Sequence, residues 1–172
     1  MTPTLPLDEA AKVVVQELAG EDAVQVVEAL SDNHEITDEQ IVARTGIKLN
    51  NVRKLLYTLF EHNLVFYRRV RDRTAGWFKY YWSLNRTNLD ILVKMKKRAV
   101  LQKLNSRLDY EKSSMFFHCP NHPEIRLTFE EAMEVNFRCP QCDAQLQHYD
   151  NSKIIMILEH KVHQLQKELG ES

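Results

Sequence analysis

Two short knuckles, Cys119-Pro-Asn-His122 and Cys139-Pro-Gln-Cys142, constrain this chain more than any other feature. Each offers two metal-binding side chains across a tight turn, and each carries proline at the same place. Two such knuckles around a β-rich insert are the plan of a zinc ribbon, in which four ligands converge on one tetrahedral ion. Sixteen residues separate His122 from Cys139; within them "EIRLTF" and "VNFRC" read as strands around the polar "EEAME". The chain has three cysteines, so a fourth thiolate is not available. Imidazole is an ordinary zinc ligand and Cys₃His a standard structural set. The expected cofactor is therefore one structural Zn²⁺ on Cys119, His122, Cys139 and Cys142. His118, beside the first knuckle, is the alternative fourth ligand. A metal-free ribbon held by its own small core is the competing reading. A thioredoxin-like use of Cys139 and Cys142 lacks the surrounding βαβ pattern.

The N-terminal half is patterned as helices followed by a hairpin. "LDEAAKVVVQEL" sets Leu7, Ala11, Val14, Val15 and Leu18 at helical spacing, and Gly20 ends it. "DAVQVVEALSD" gives a second helix around Val26, Val27 and Leu30. "EITDEQIVARTG" gives a third, with Thr37 or Asp38 as cap and Thr45-Gly46 as stop. A fourth runs through "KLNNVRKLLYTLFEHN", with Asn50 as cap and Val52, Leu55, Leu56 and Leu59 as its buried stripe. Helix, glycine-containing turn, helix is the helix-turn-helix unit. "LVFYRRVRD" and "GWFKYYWSL" then read as strands joined by a turn at Asp72–Gly76. A helix-turn-helix followed by a hairpin is a winged helix.

Phe78, Tyr80, Trp82 and Leu84 alternate on one face of the second strand; Trp77, Lys79 and Tyr81 take the other, expected opposite Tyr67, Arg69 and Arg71. That second face either packs against a helix of the domain or is partly exposed. Exposed, it suits a protein-binding hot spot or the stacking of unpaired bases. The fourth helix offers few base-reading side chains beyond Asn50, Asn51, Arg53 and Lys54, fewer than a sequence-specific duplex reader presents.

Charge is unevenly distributed. Residues 66–107 hold 12 basic and 2 acidic side chains, whereas 1–65 hold 5 and 11, and 108–172 hold 6 and 11. A basic middle between acidic ends marks either a localised polyanion-facing surface or a solvated face. Residues 87–113 contain no glycine or proline and form a linker helix, capped by Thr87 or Asn88, with Leu89, Leu92, Lys96, Val100, Leu104 and Arg107 or Leu108 along one stripe. "NSKIIMILEHKVHQLQKEL" forms a terminal amphipathic helix. The expected class is α+β, mainly α: a winged-helix domain over 1–86, a linker helix over 87–113, a zinc ribbon over 114–149 and a helix over 150–172. No apolar run reaches bilayer length. No nucleophile–base pair or phosphate-cradling glycine loop stands out, so an enzyme is not expected.

In this order the parts resemble archaeal transcription factor E, the relatives of the alpha subunit of eukaryotic general transcription factor IIE. The resemblance covers nearly the whole chain. It is most specific in "TDEQIVARTGIKLNNVRKLLYTLFEHNLVFYRRVRDRTAGWFKYYWSL" and in the paired knuckles. It implies a cytoplasmic, non-enzymatic general initiation factor that binds the RNA polymerase clamp and promoter DNA. It further implies a place near the melted non-template strand and assistance to promoter opening. Other basal initiation factors, and a beta subunit, are the further partners implied; a membrane or a small-molecule substrate is not. On this sequence the candidates for polymerase or strand contact are Arg69, Arg71, Trp77, Phe78 and Tyr81, with Arg53 and Lys54 as candidates for DNA contact. Family members usually carry four ribbon cysteines, and His122 departs from that. The rival is a dimeric winged-helix repressor responsive to metal or redox state.

Overall fold

A computed structural model of the protein describes residues 7–32, 35–71 and 76–171. The chain divides into two compact units, the first ending at Lys96 and the second beginning at Lys97. The architecture is mainly helical with two small sheets, a winged helix-turn-helix followed by a long helix, a ribbon and a terminal helix.

In the first unit, α1 (Glu9–Ala19) starts at Asp8, whose carboxylate accepts the Ala11 amide at 2.7 Å. Gly20, at φ +87°, lets α2 (Glu21–Ser31) begin at once in a new direction. The short strand β1 (Ile36–Thr37) leads into α3 (Asp38–Thr45). Thr37 closes a capping box there: its hydroxyl accepts the Gln40 amide, and the Gln40 side chain accepts the Thr37 amide at 2.9 Å. Gly46, at φ +73°, ends α3. The helix α4 (Leu49–Glu61) follows Lys48 without a side-chain cap, so Asn50 is not the cap but an exposed residue of the first turn. Val52, Leu56 and Leu59 are buried as the helical period requires; Arg53, Lys54 and Tyr57 are exposed.

The hairpin strands are β2 (Val65–Arg71) and β3 (Phe78–Leu84), and β1 adds a third strand in the order β1-β3-β2, all antiparallel. Trp82 is the buried centre of β3 and joins Val15, Val27, Leu30, Ile41, Leu56 and Leu64 in one core. Of the expected turn at Asp72–Gly76, residues 72–75 lie outside the described residues; Gly76 sits at φ +74°. The pairing corrects the expected faces. Tyr67, Arg69 and Arg71 oppose Trp82, Tyr80 and Phe78, while Tyr81 belongs to the other face and Trp77 precedes the strand. The alternation within each strand was sound, but the offset between the two strands depends on the turn, whose register the residue types alone leave open.

The long helix α5 (Arg86–Ser113) is capped by Asn85 rather than Thr87 or Asn88: the Asn85 Oδ1 accepts the Asn88 amide at 3.2 Å. Its buried residues are Leu89, Val93, Leu101, Leu108 and Glu111, whereas Val100 is exposed. The expected heptad-like stripe thus gives way to the ordinary 3.6-residue period, and Lys96 lies at 2.9 Å from Glu17.

In the second unit the strands are β4 (Phe116–His118), β5 (Arg126–Thr128) and β6 (Gln147–Tyr149), in the order β5-β4-β6. The sheet flanks the knuckles: β4 enters the first and β6 leaves the second. "EEAME" lies not in a loop but in the helix α6 (Phe129–Glu134), started by a Thr128–Glu131 capping box. "VNFRC" is not a strand, because Asn136 and Phe137 adopt φ of +52° and +55°; a single bridge, Arg138 to Gln145, remains. The helix α7 (Ser152–Leu169) packs Val162, Leu158 and Leu165 against Leu101, Leu104 and Leu108 of α5.

A buried ion pair ties these pieces together. Glu111 is fully buried, and both terminal nitrogens of Arg126 donate to its carboxylate, one at 3.1 Å. Arg107 lies at 2.7 Å, and the Asn151 side chain donates to both the carboxylate and the Glu111 carbonyl at 2.8 Å. The Arg126 guanidinium lies 3.8 Å from the centre of the Phe116 ring and 4.7 Å from that of Tyr149. Glu111→Ala leaves the Arg126 charge without its main partner and is expected to cost ~3–5 kcal/mol, read as a lower urea midpoint. Hydrogen bonds from Arg126 hold the Glu111 carboxyl below the usual carboxylate range despite its burial. Its contribution is therefore complete above the unfolded value of about 4.3 and is lost as pH falls through the lower folded value. The stability gap between wild type and Glu111→Gln should narrow on acidification through that window.

Candidate metal centre and nucleic-acid interface

The two knuckles meet. The ligand atoms of Cys119, His122, Cys139 and Cys142 all lie within 4.8 Å of one another. Cys119 Sγ is 3.6 Å from Cys142 Sγ and 3.7 Å from His122 Nδ1, and Cys139 Sγ is 3.9 Å from the same nitrogen. Metal–sulfur bonds of about 2.3 Å in tetrahedral geometry put sulfurs about 3.8 Å apart. The spacing thus suits one tetrahedral ion, and the nitrogen turned inward is Nδ1. His118 is not in this group: it sits in β4 opposite Arg126 and Gln147, its ring edge-on to Tyr149 at 5.5 Å.

Local backbone geometry builds the turns. The Asp143 amide donates to the Cys139 carbonyl at 2.9 Å, with Asp143 at φ +58°, and the Ile125 amide donates to the His122 carbonyl at 3.0 Å. Cys119 and Cys139 are buried and Cys142 is exposed. The thiols differ accordingly. Burial pushes the Cys119 thiol up, whereas the Cys142 thiol is lowered to about 6, chiefly by a hydrogen bond from the Ala144 amide and further by Asn121 and the neighbouring thiols. A ready thiolate at the exposed position is the ionisation state a metal ligand needs.

The hairpin candidates separate onto two faces. Arg69, Arg71 and Phe78 share the face toward α4, where Tyr67 meets Phe60 at 5.2 Å, Tyr80 at 5.5 Å and Trp82 at 5.2 Å. Tyr57 adds an edge-on contact with Trp82. Tyr81 lies on the opposite face, which also carries exposed Phe66 and Val70, and Trp77, just before β3, is 77% exposed. Exposure of Trp77 rules out the reading in which it packs into its own domain.

Much of the basic charge is already matched. Arg68 grips Glu35 with two hydrogen bonds, and Lys97 and Arg98 pair with Glu168 and Glu171. Arg53 is held by Asp38 at 2.5 Å and by Glu39, so it is not a free cation, while Lys54 is exposed beside it. Arg69 and Arg71 have no carboxylate partner among the described residues; the Arg69 guanidinium sits 5.0 Å from the Phe78 ring centre. Sequence reasoning missed the Asp38–Arg53 pair and the contribution of Tyr57 and Phe60. The available signal was two aromatics three residues apart, off the buried stripe of α4.

Comparison with known proteins places this geometry. The TFIIE alpha subunit family matches residues 9–113. A transcription factor E from Metallosphaera sedula is 42% identical over 95% of this chain and 93% of its own. One from Thermococcus kodakarensis is 41% identical over 91% of this chain and 85% of its own. A solved structure described as a possible transcriptional regulator from Methanosarcina mazei Go1 has a TM-score of 0.44 at 12% identity, over 60% of this chain and 98% of that one, too loose a likeness to argue from.

Purified protein is expected to carry one metal ion per chain, measured by elemental analysis. His122→Ala should weaken retention against a competing chelator by at least tenfold, a loss of the order that removal of one ligand or its orienting partner produces. His118→Ala should leave it unchanged.

Proposed function

On the premise that the chain belongs to the TFIIE alpha subunit family and is a general transcription initiation factor, we propose that it acts by holding the open promoter complex through its wing. The polymerase clamp is the protein partner, the melted non-template strand the nucleic-acid partner, and other basal factors, with a beta subunit, complete the assembly. The observation that carries this reading is the pair Arg69 and Arg71, which have no carboxylate partner among the described residues and are set beside a partly exposed aromatic surface. Phosphates and unstacked bases occur together once a promoter has melted, so a surface offering both kinds of contact binds the open state better than the closed one. That difference in affinity shifts the equilibrium without any bond being made or broken, so no enzymatic step is assigned. Trp77, just before β3, and Tyr81, on the other face, suit the protein contact, because exposed aromatics anchor interfaces.

A sequence-reading role for α4 is not favoured. Arg53 is engaged by Asp38, which leaves Lys54, Asn50 and Asn51 as the side chains of α4 that could reach into a duplex groove. The ribbon takes a structural part: Cys119, His122, Cys139 and Cys142 would hold a zinc ion that closes the knuckles. The cytoplasm, where the transcription machinery of a cell without a nucleus works, is the proposed location. No helix among the described residues is long and apolar enough to cross a membrane.

With polymerase present, the protein is expected to bind a template carrying a pre-melted bubble more tightly than the same template fully paired. Replacing Arg69 and Arg71 together by alanine should remove most of that preference, about tenfold in affinity for two lost phosphate contacts, while leaving the far-ultraviolet spectrum unchanged. Equal binding of paired and bubble templates by the wild-type protein defeats the mechanism.

A further inference from the structure

Between α3, α4 and β3 lies a cleft of about 280 Å³, to which no ligand has been assigned above. Its sides are the rings of Tyr57, Phe78, Tyr80 and Trp82, and its polar groups include Asp38 and Arg53. Tyr57 and Phe78 are half exposed, so they border the opening, whereas Trp82 is buried. The Asp38 side chain is nine-tenths buried and held by Arg53 at 2.5 Å. Aromatic surface is thus combined with an acceptor and a donor fixed against each other. The Arg53 charge is already met there, by Asp38 and by Glu39 at 3.9 Å.

That pairing decides what fits. A phosphate would meet two carboxylates, and an ammonium or guanidinium would meet Arg53 and a carboxylate that Arg53 already occupies. A neutral planar ring with both donors and acceptors on its edge meets neither objection, and aromatic walls stack on it whatever its identity. The volume falls just under the range for drug-sized ligands, as a single ring system requires. The cleft also opens on the hairpin face that carries Arg69 and Arg71, and Phe78 is shared by both.

We infer that the cleft is a pocket for one unpaired nucleobase. The base stacks against Tyr57 and Phe78, and its edge meets Asp38 and Arg53. This rests on the reading that the wing meets melted DNA, and it goes further by naming where one base of that strand lodges and which side chains receive it.

The test uses the full chain and a short single-stranded oligodeoxynucleotide with one central 2-aminopurine, whose fluorescence falls when the base stacks. Wild type is expected to quench the probe in a saturable way. Tyr57→Ala and Phe78→Ala should each weaken the midpoint about tenfold, and Tyr57→Phe should restore it. Circular dichroism of every variant should match wild type, because both rings are half exposed. Quenching that survives both alanine variants but is lost when Arg69 and Arg71 are replaced overturns the pocket and leaves the strand contact standing. No quenching by wild type also overturns the pocket, and the bubble-template comparison then judges the wider reading by itself. If Tyr57→Ala instead weakens binding to polymerase in the absence of DNA, the cleft takes a protein side chain and the inference fails.

Discussion

The second unit depends on one buried ion pair. Glu111 stands near the end of α5, and Arg126 opens β5 directly after the first knuckle. Their contact fastens the strand to the helix, and Asn151 brings the start of α7 to the same carboxylate. Without it, three short strands of three residues each would have little to fix their position, because strands this short bury few side chains of their own. The pair is costly to desolvate; Arg107, the Asn151 amide and two aromatic rings offset that cost, while the Arg126 Nε stays buried without a hydrogen-bond partner among the described residues. A fold anchored this way does not rely on the metal knuckles alone.

The first unit solves a different problem. Its core is made of small and medium apolar side chains from α1, α2, α3 and α4, closed on one side by Trp82. Because α4 covers only the base of the hairpin, the aromatic face of β3 passes from buried at Trp82 to exposed at Phe78 over four residues. One strand therefore packs at one end and stands open to solvent at the other. The cleft lined by Tyr57 and Phe78 lies where that change occurs.

The elements legible in the sequence were those whose signal is local and periodic. The four N-terminal helices, the hairpin, the long helix and the terminal helix all follow from spacing, and the knuckles from their repeated Cys-Pro. What was not legible depended on partners distant in the chain. The strand β1 is two residues long and exists only because β3 lies beside it. Strands β4 and β6 have three residues each and pair across about thirty residues of chain. The "VNFRC" segment has good strand formers, but the left-handed backbone at Asn136 and Phe137 lets Phe137 reach Phe117 and Phe129, and that packing overrides propensity. His118 and His122 were indistinguishable as residue types. Position in a strand, with its ring against Tyr149, is what separates His118 from the ligand group.

The matching of basic residues with carboxylates has a consequence for ionic strength. Binding that neutralises phosphates releases condensed counterions, and each neutralised phosphate on a single strand steepens the logarithmic salt dependence by about 0.7. Of the three arginines described in β2, Arg68 is already occupied by Glu35, which leaves Arg69 and Arg71 to displace ions. A basic segment of this composition would suggest a contact that salt dissolves. The two described arginines would give the proposed strand contact a slope of about 1.4, roughly 25-fold in affinity per tenfold change in salt, far shallower than twelve basic residues would give.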